Sequence, residues 1–376
     1  MRLVLVSNSL GRGGGGAERV ITTLANHWAE RGWQVVAVTY DDGSVPPHYP
    51  VDGRIEHRPL ALEFPSGSLT SAMRNALRRV RTLRQAFRAA CPDAVISFGA
   101  STNVDVLLAA AAPAPLGGLG IPVIVSDRND PVRFPDRSRT RAALRNLVYR
   151  RAAAIVFQTQ RAAECFPATL TRKGHVIANP VAPPALPRRE KNVWPPTLVA
   201  LGRLEPQKGF DLLLEAFARI RHRHPHWHLN IVGEGSARGE LEAHRRRLGI
   251  DDCVRLPGAT REPERALDDA ELFVLSSRFE GFPNALCEAL AGGLPVVAAD
   301  CRSGPREIVR DGVDGLLVEA ESVDALAAGL DTLMHDSARR RQFAARAPEI
   351  VDRFGAPQVI ADWERLLTAV VPHPRD

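Results

Sequence analysis

"LGRLEPQKGFDLLLEAF", residues 201–217, decides the fold. A short apolar run at 197–201 ends at Gly202, a loop holding Pro206 and Gly209 follows, and an amphipathic stretch runs over 209–224. The succession is strand, turn, helix, and it repeats in both directions along the chain. Strand candidates lie at 2–7, 34–39, 94–98, 122–126, 154–158 and 175–178. After a gap they resume at 197–201, 228–232, 253–256, 272–275, 295–298 and 315–318. Helical stretches such as 17–31 and 70–90 separate most of them. This alternation predicts right-handed β-α-β units and parallel sheets covered on both faces.

The pattern breaks at "PVAPPALPRREKNVWPPT" (180–197), too dense in proline for a helix or a central strand. A chain of 376 residues is also long for one core. The expected organisation is a Rossmann-like domain over 1–180, a linker over 181–196 and a second Rossmann-like domain over 197–355. The last stretch, 356–376, reads as a helix packing back on the first domain. Ligands of doubly wound sheets bind outside the carboxyl ends of the strands, so two such domains facing each other would define a cleft.

Bulk properties narrow the setting. Apolar residues make up 45% and charged residues 24%, which is ordinary for a globular chain. Neither a signal-peptide pattern nor a membrane-length apolar run is found, and the five cysteines are scattered without a CxxC pair, which suits a reducing cytoplasm. Charge is uneven: residues 1–180 hold 23 Lys and Arg against 13 Asp and Glu, and the remainder 26 against 30. The first half is therefore expected to face an anionic partner.

"LVSNSLGRGGGGAERV" (4–19) contains the G-x-G-x-x-G spacing of a dinucleotide turn, and Asp41 or Asp42 could serve as a ribose acid. Ser7, Asn8, Ser9 and Leu10 come before the first glycine, which weakens the NAD reading. No Gly-Lys-Ser/Thr follows, so a P-loop is excluded. A bare backbone turn before a helix also suits an anion or a sugar.

Arg203 and Lys208 flank the strand-to-helix loop at 202–209, where two cations suit a pyrophosphate. "SSRFEGFPNALCEALAGGLPVV" (276–297) again leaves a strand, with Pro283 placed to start a helix. The amides of Asn284, Ala285 and Leu286 are expected to face an anion there. Glu280 precedes the helix and Glu288 lies one turn inside it, in reach of sugar and ribose hydroxyls. A glycosidase-like acid pair is disfavoured, because nearby cations and the helix dipole keep both carboxylates ionised.

Glu280-x₇-Glu288, "GRLEPQKGFD" (202–211), "SGPREIVRDGVDGLLV" (303–318) and "GGAERV" (15–20) with "LANHWAERGWQVVAVT" (24–39) resemble glycosyltransferase family 4 in four blocks, in order. The resemblance implies an α/β, GT-B fold and a retaining, metal-independent transfer from a nucleotide-diphosphate sugar, with no cofactor. By matched position, Arg203 and Lys208 would bind the donor diphosphate, Glu280 the transferred sugar and Glu288 the ribose. Arg203, Lys208 and Glu280 are the candidate catalytic residues. Gly15, Gly16, Gly202, Gly258, Gly281, Phe282, Asn284, Ala285 and Leu286 complete the candidate donor site. An idle nucleotide- or carbohydrate-binding module, a same-fold epimerase or synthase, and a GDP-mannose-dependent mannosyltransferase stand as alternatives.

Where many members of the family carry a histidine, this chain has "SDRND" (126–130). That variant resembles the bacterial branch building lipid-linked oligosaccharides and surface polysaccharides, which favours a UDP-sugar donor and a glycan or polyprenyl-pyrophosphate-linked saccharide acceptor. Asp127, Arg128 and Asn129 are candidate acceptor-side residues, with Arg128 meeting an acceptor phosphate. In "SLTSAMRNALRRVRTLRQAFRAACPD" (68–93), Met73, Leu77, Val80, Leu83 and Phe87 form one stripe beside Arg74, Arg78, Arg81 and Arg88. The arginine faces of this helix and of the run at 133–153 read as core-packed helices or as a peripheral attachment to the anionic inner face of the cytoplasmic membrane. No nucleic-acid motif is present. "HRHPHWHLN" (222–230) alternates histidines without Cys or acidic partners nearby in sequence, and no metal is expected there.

Overall fold

Two parallel sheets, one of seven strands and one of six, carry the chain in the computed structural model. It describes all residues except 12–15, 65–67, 111–118, 129–138, 185–194, 261 and 372–376. The chain divides into two compact units, Met1–Pro180 with Val359–Asp376, and Val181–Gln358. Most of the proline-rich stretch between them lies outside the described residues.

The first unit runs β1 (Arg2–Ser7), α1 (Gly16–Glu30), β2 (Gln34–Thr39), β3 (Glu56–Pro59), α2 (Leu69–Ala90), β4 (Ala94–Phe98) and α3 (Ala100–Ala110). It continues with β5 (Val123–Asp127), α4 (Arg139–Tyr149), β6 (Ala154–Phe157), α5 (Gln160–Ala163), α6 (Ala168–Thr171) and β7 (Gly174–Val176). The sheet order is β3-β2-β1-β4-β5-β6-β7, so winding reverses between β1 and β4. Right-handed crossovers then set α1 on one face and α2, α3 and α4 on the other. Every residue of β4, β5 and β6 is buried, as expected of parallel strands covered on both faces.

β3 was not anticipated. Its sequence, Glu-His-Arg-Pro, has no apolar run, and it is tolerated because it pairs on one side alone, at the sheet edge. The α2 stripe also needs correction. Ser68 and Ser71 cap the helix reciprocally, and Leu83 and Phe87 are fully buried, but Met73 is 63% and Leu77 58% exposed. The first turns of α2 thus hold two large apolar side chains in solvent beside the exposed Arg74, Arg78 and Arg81.

The second unit runs β8 (Thr197–Leu201), α7 (Phe210–Ile220), β9 (His228–Val232), α8 (Arg238–Arg247), β10 (Val254–Gly258), α9 (Pro263–Asp268), β11 (Leu272–Leu275) and α10 (Asn284–Ala291). It ends with β12 (Val296–Ala299), α11 (Pro305–Ile308), β13 (Gly315–Val318), α12 (Val323–His335), α13 (Ser337–Arg346) and α14 (Ile350–Phe354). Its strand order is β10-β9-β8-β11-β12-β13, with the reversal between β8 and β11. Leu198, Ala200, Leu213, Phe217, Ile231 and Leu330 form the centre of its core.

The last helix, α15 (Ala356–Val370), starts in the second unit and belongs to the first from Val359 onward. There Trp363 is fully buried with its ring 6.0 Å from that of Phe98, and Glu364 pairs at 2.6 Å with Arg31, the residue after α1. Among the described residues no helix is long and apolar enough to cross a membrane.

Candidate functional site

The second sheet reverses its winding between β8 and β11, so the loops leaving these strands part from each other outside the carboxyl edge. Those two loops, 202–209 and 276–283, are the stretches singled out in the sequence. Backbones crowd there. A Cβ at Gly233 would lie 1.9 Å from the Gly202 carbonyl oxygen, and one at Gly209 2.2 Å from that of Ser276. Gly202 N–H donates to Val232 O at 3.1 Å and Gly233 N–H to Gly258 O at 2.9 Å, which sets Gly202, Gly233 and Gly258 side by side along the edge. The Lys208 side chain lies over Gly202, its Cε 3.0 Å from where a Cβ would stand.

This path brings Lys208 Nζ to Glu280 Oε1 at 2.7 Å, and Ser277 Oγ donates to the same oxygen at 2.6 Å. The two charged side chains are 18% and 7% exposed. Glu280 Oε2 has no hydrogen-bond partner among the described residues. Further bonds hold the two loops together. Ser276 Oγ donates to Lys208 O at 2.9 Å, Gln207 Nε2 to Phe279 O at 3.0 Å, and Arg278 N–H to Gln207 O at 2.8 Å. Arg278 also forks onto Asp211 at 2.8 and 2.5 Å. Burial raises the Asp211 carboxyl, but that fork and the arginine charge outweigh it, and the group titrates below the usual carboxylate range.

Glu288 is half-buried on α10, while Asn284 and Ala285 are half-buried at its start. Pro283 occupies the residue before the helix and not its first turn. It accepts from Leu286 N–H at 3.1 Å, so that amide, expected to face an anion, is already taken, and the Leu286 side chain is fully buried. Phe282 is likewise turned inward, in an edge-on contact with Phe354 at 5.8 Å, which leaves its backbone for a ligand and not its ring. Ser303 Oγ donates to Gly281 O at 3.3 Å, tying the "SGPREI" turn to this loop. Arg203 stands 68% exposed and pairs with Glu205 at 3.0 Å; its contacts do not include Glu280. The sequence reading missed Ser277, which bonds Glu280 within its own loop, and Gln207, Arg278 and Asp211, whose roles arise from pairings across the switch point.

In the first unit, Gly16 opens α1, while Gly15 and Asn129 lie outside the described residues. Asp127 ends β5, buried, and accepts from Tyr149 OH at 3.3 Å. Arg128 follows it, stacked on the Phe98 ring at 5.0 Å and donating through Nη1 to Asn179 Oδ1. Asp41, weighed as a ribose acid, instead accepts from Thr39 Oγ1 at 2.7 Å, and Asp42 accepts from Ser44. Of the histidine run, His224 does have an acidic partner, Asp331 at 2.7 Å. Among the described residues no group of three or more His, Cys, Asp or Glu is arranged to hold a metal.

Chemically, the site of the second unit is a fixed ammonium, a buried carboxylate with one oxygen unused, and a helix start beside them. Such a set stabilises a departing anion through Lys208 while Glu280 Oε2 accepts from a hydroxyl.

Family models match both halves: residues 15–182 the glycosyl transferase 4-like domain, and residues 186–350 the glycosyl transferases group 1. The chain is 35% identical over 227 residues to the exopolysaccharide phosphotransferase SCO2592 of Streptomyces coelicolor, covering 59% of this chain and 24% of that protein. The next two curated relatives are spanned over 48% and 44% of their length, so the chain covers less than half of each of these three. It is 25% identical to the amylovoran biosynthesis glycosyltransferase AmsD of Erwinia amylovora, over 96% of this chain and 97% of that one. The crystal structure of Anabaena Alr3699/HepE in complex with UDP and glucose superposes with a TM-score of 0.77 at 20% identity, covering 98% of this chain and 100% of the other.

Proposed function

The chain belongs to glycosyltransferase family 4 and has the GT-B fold, and on that footing we propose that it moves a hexose or N-acetylhexosamine from a nucleotide-diphosphate sugar to a glycan or lipid-linked saccharide. The reading rests on one observation, the Lys208–Glu280 pair at the switch point of the second sheet. Cleaving the sugar–phosphate bond builds negative charge on the diphosphate and positive charge on the anomeric carbon. Lys208, Arg203 and the start of α10 meet the first, and Glu280 holds the sugar through Oε2. Glu288, one turn further on, takes the ribose diol. With these groups carrying the charge, transfer proceeds without a divalent metal; the resemblance to family 4 implies that the acceptor attacks from the leaving-group face, with retention at the anomeric carbon.

UDP is the favoured donor nucleotide, in keeping with the ligand named for the HepE structure. The first unit takes the acceptor. The apolar pair Met73 and Leu77 amid the arginines of α2 suits a peripheral position on an anionic membrane, on its cytoplasmic side.

Thermal unfolding against UDP-, GDP- and ADP-sugars, each with and without EDTA, tests this reading. One UDP-sugar should raise the midpoint, through a stabilisation of RT ln(1 + [L]/Kd), unchanged by the chelator. A GDP-sugar shift would redirect the donor assignment toward a mannosyltransferase. Binding without turnover on any acceptor would favour an idle binding module. Absence of any shift would reject the donor site.

A further inference from the structure

The carboxyl edge of the first sheet holds a guanidinium that the fold leaves incomplete. Arg128 follows β5, the strand next to β4, which borders the reversal point of the sheet. Its Nη1 donates to Asn179 Oδ1, which also accepts from the buried Gln158 Nε2 at 2.7 Å, and its Cζ lies over the Phe98 ring, 5.0 Å from the centroid. The side chain is thereby fixed. Its other edge, Nε and Nη2, is buried with no hydrogen-bond partner, and no carboxylate among the described residues pairs with it. Burial alone pushes the group down to about 9. The neighbouring Ser126 Oγ is also buried without a partner.

A buried, unpaired cation is costly, and Nε with Nη2 is the side-on fork that accepts two oxygens of one oxyanion. The edge where it stands is where doubly wound sheets take their ligands. The surplus of basic over acidic residues in the first 180 suits a multiply charged ligand better than a single carboxylate. We propose that Arg128 is the anchor for a phosphate or diphosphate group of the acceptor, received on its Nε/Nη2 edge. This rests on the reading that the first unit takes the acceptor. To the sequence expectation that Arg128 meets an acceptor phosphate it adds the receiving edge, Nε with Nη2, left unpartnered on a side chain already held by Asn179.

The test uses the full chain saturated with UDP, titrated with inorganic pyrophosphate or with geranyl diphosphate and followed by thermal unfolding. At about a hundredfold excess over Kd, an anion on Arg128 should add roughly 5 °C to the wild-type midpoint. R128M should lose that increment, keep the UDP shift and, with no anion present, unfold no lower than the wild type, because an unpaired buried charge has been removed. R128K, which keeps charge but not the fork, should bind at least about tenfold more weakly. A shift with both ligands assigns a free diphosphate as sufficient, and a shift with geranyl diphosphate alone assigns a lipid-borne one.

Equal shifts in wild type and R128M, no shift with either ligand in the wild type, or an R128M midpoint well below wild type without anion would each overturn the proposal. So would R128K binding as tightly as the wild type, a comparison that stands if R128M fails to fold. A missing UDP shift would count against the donor reading instead, and pyrophosphate titrated alone onto wild type and R128M would still report on Arg128.

Discussion

Lys208 and Glu280 are 72 residues apart in sequence and 2.7 Å apart in space, joined across the reversal point of the second sheet. Each holds the other's charge in a pocket that water barely reaches, so either one alone is stranded. Lys208→Ala should cost about 3 kcal/mol of stability in denaturant unfolding and at least about a hundredfold in turnover. Joining it with Glu280→Gln should recover most of the stability and none of the turnover, which separates the pair's two contributions.

Arg203 offers the opposite signature. It is largely in solvent, and its ion pair to Glu205 contributes little to folding. Arg203→Ala should leave the unfolding midpoint unmoved while lowering kcat about a hundredfold, as removal of a transition-state donor does. Near-normal kcat would take Arg203 out of the reaction.

Gly209 has φ +63°, and a methyl group there would press on the Ser276 carbonyl. Gly209→Ala should therefore cost about 2 kcal/mol or more and displace Lys208, raising KM for the donor. A variant as stable and as active as the parent would show that the two loops move freely past each other.

The Asp211–Arg278 fork carries a pH signature. The folded carboxyl titrates below its unfolded value near 4, so its stabilisation is complete above that value and is lost as pH falls through the lower, folded one. Arg278→Ala should lower the unfolding midpoint at pH 7, and the gap to wild type should close as the medium is acidified below about pH 4. A gap independent of pH would mean that Arg278 acts by packing alone.

The exposed face of α2 should read out on vesicles. Met73→Ser with Leu77→Ser should weaken sedimentation with phosphatidylglycerol vesicles at every salt concentration. Arg74→Ser with Arg78→Ser and Arg81→Ser should weaken it mainly at low salt, by roughly 1 kcal/mol per arginine. Equal sedimentation with neutral vesicles would remove the electrostatic part of the attachment.

The sheets were legible because strands buried on both faces are written as unbroken apolar runs, as in Ala94–Phe98 and Thr197–Leu201. β3 escaped because an edge strand pairs through backbone alone and can be built from Glu, His, Arg and Pro. Periodicity found the α2 stripe but overestimated its depth, since spacing along a helix says nothing of where the underlying core stops. At the candidate site, the residue types on the two loops could be read as an anion site from their positions after strands. That Lys208 rests on Glu280, that Gln207 reaches Phe279 and that Arg278 forks onto Asp211 depend on how the strands interleave, which local sequence does not encode.

The terminal helix gives the first unit a debt to the far end of the chain. A fragment stopping at Pro180 would translate every strand of its sheet and still leave the Phe98 ring without Trp363 and Arg31 without Glu364. During synthesis that lobe stays unfinished until the whole second unit and then α15 have emerged, so maturation of the amino-terminal half waits for a helix made after its neighbour.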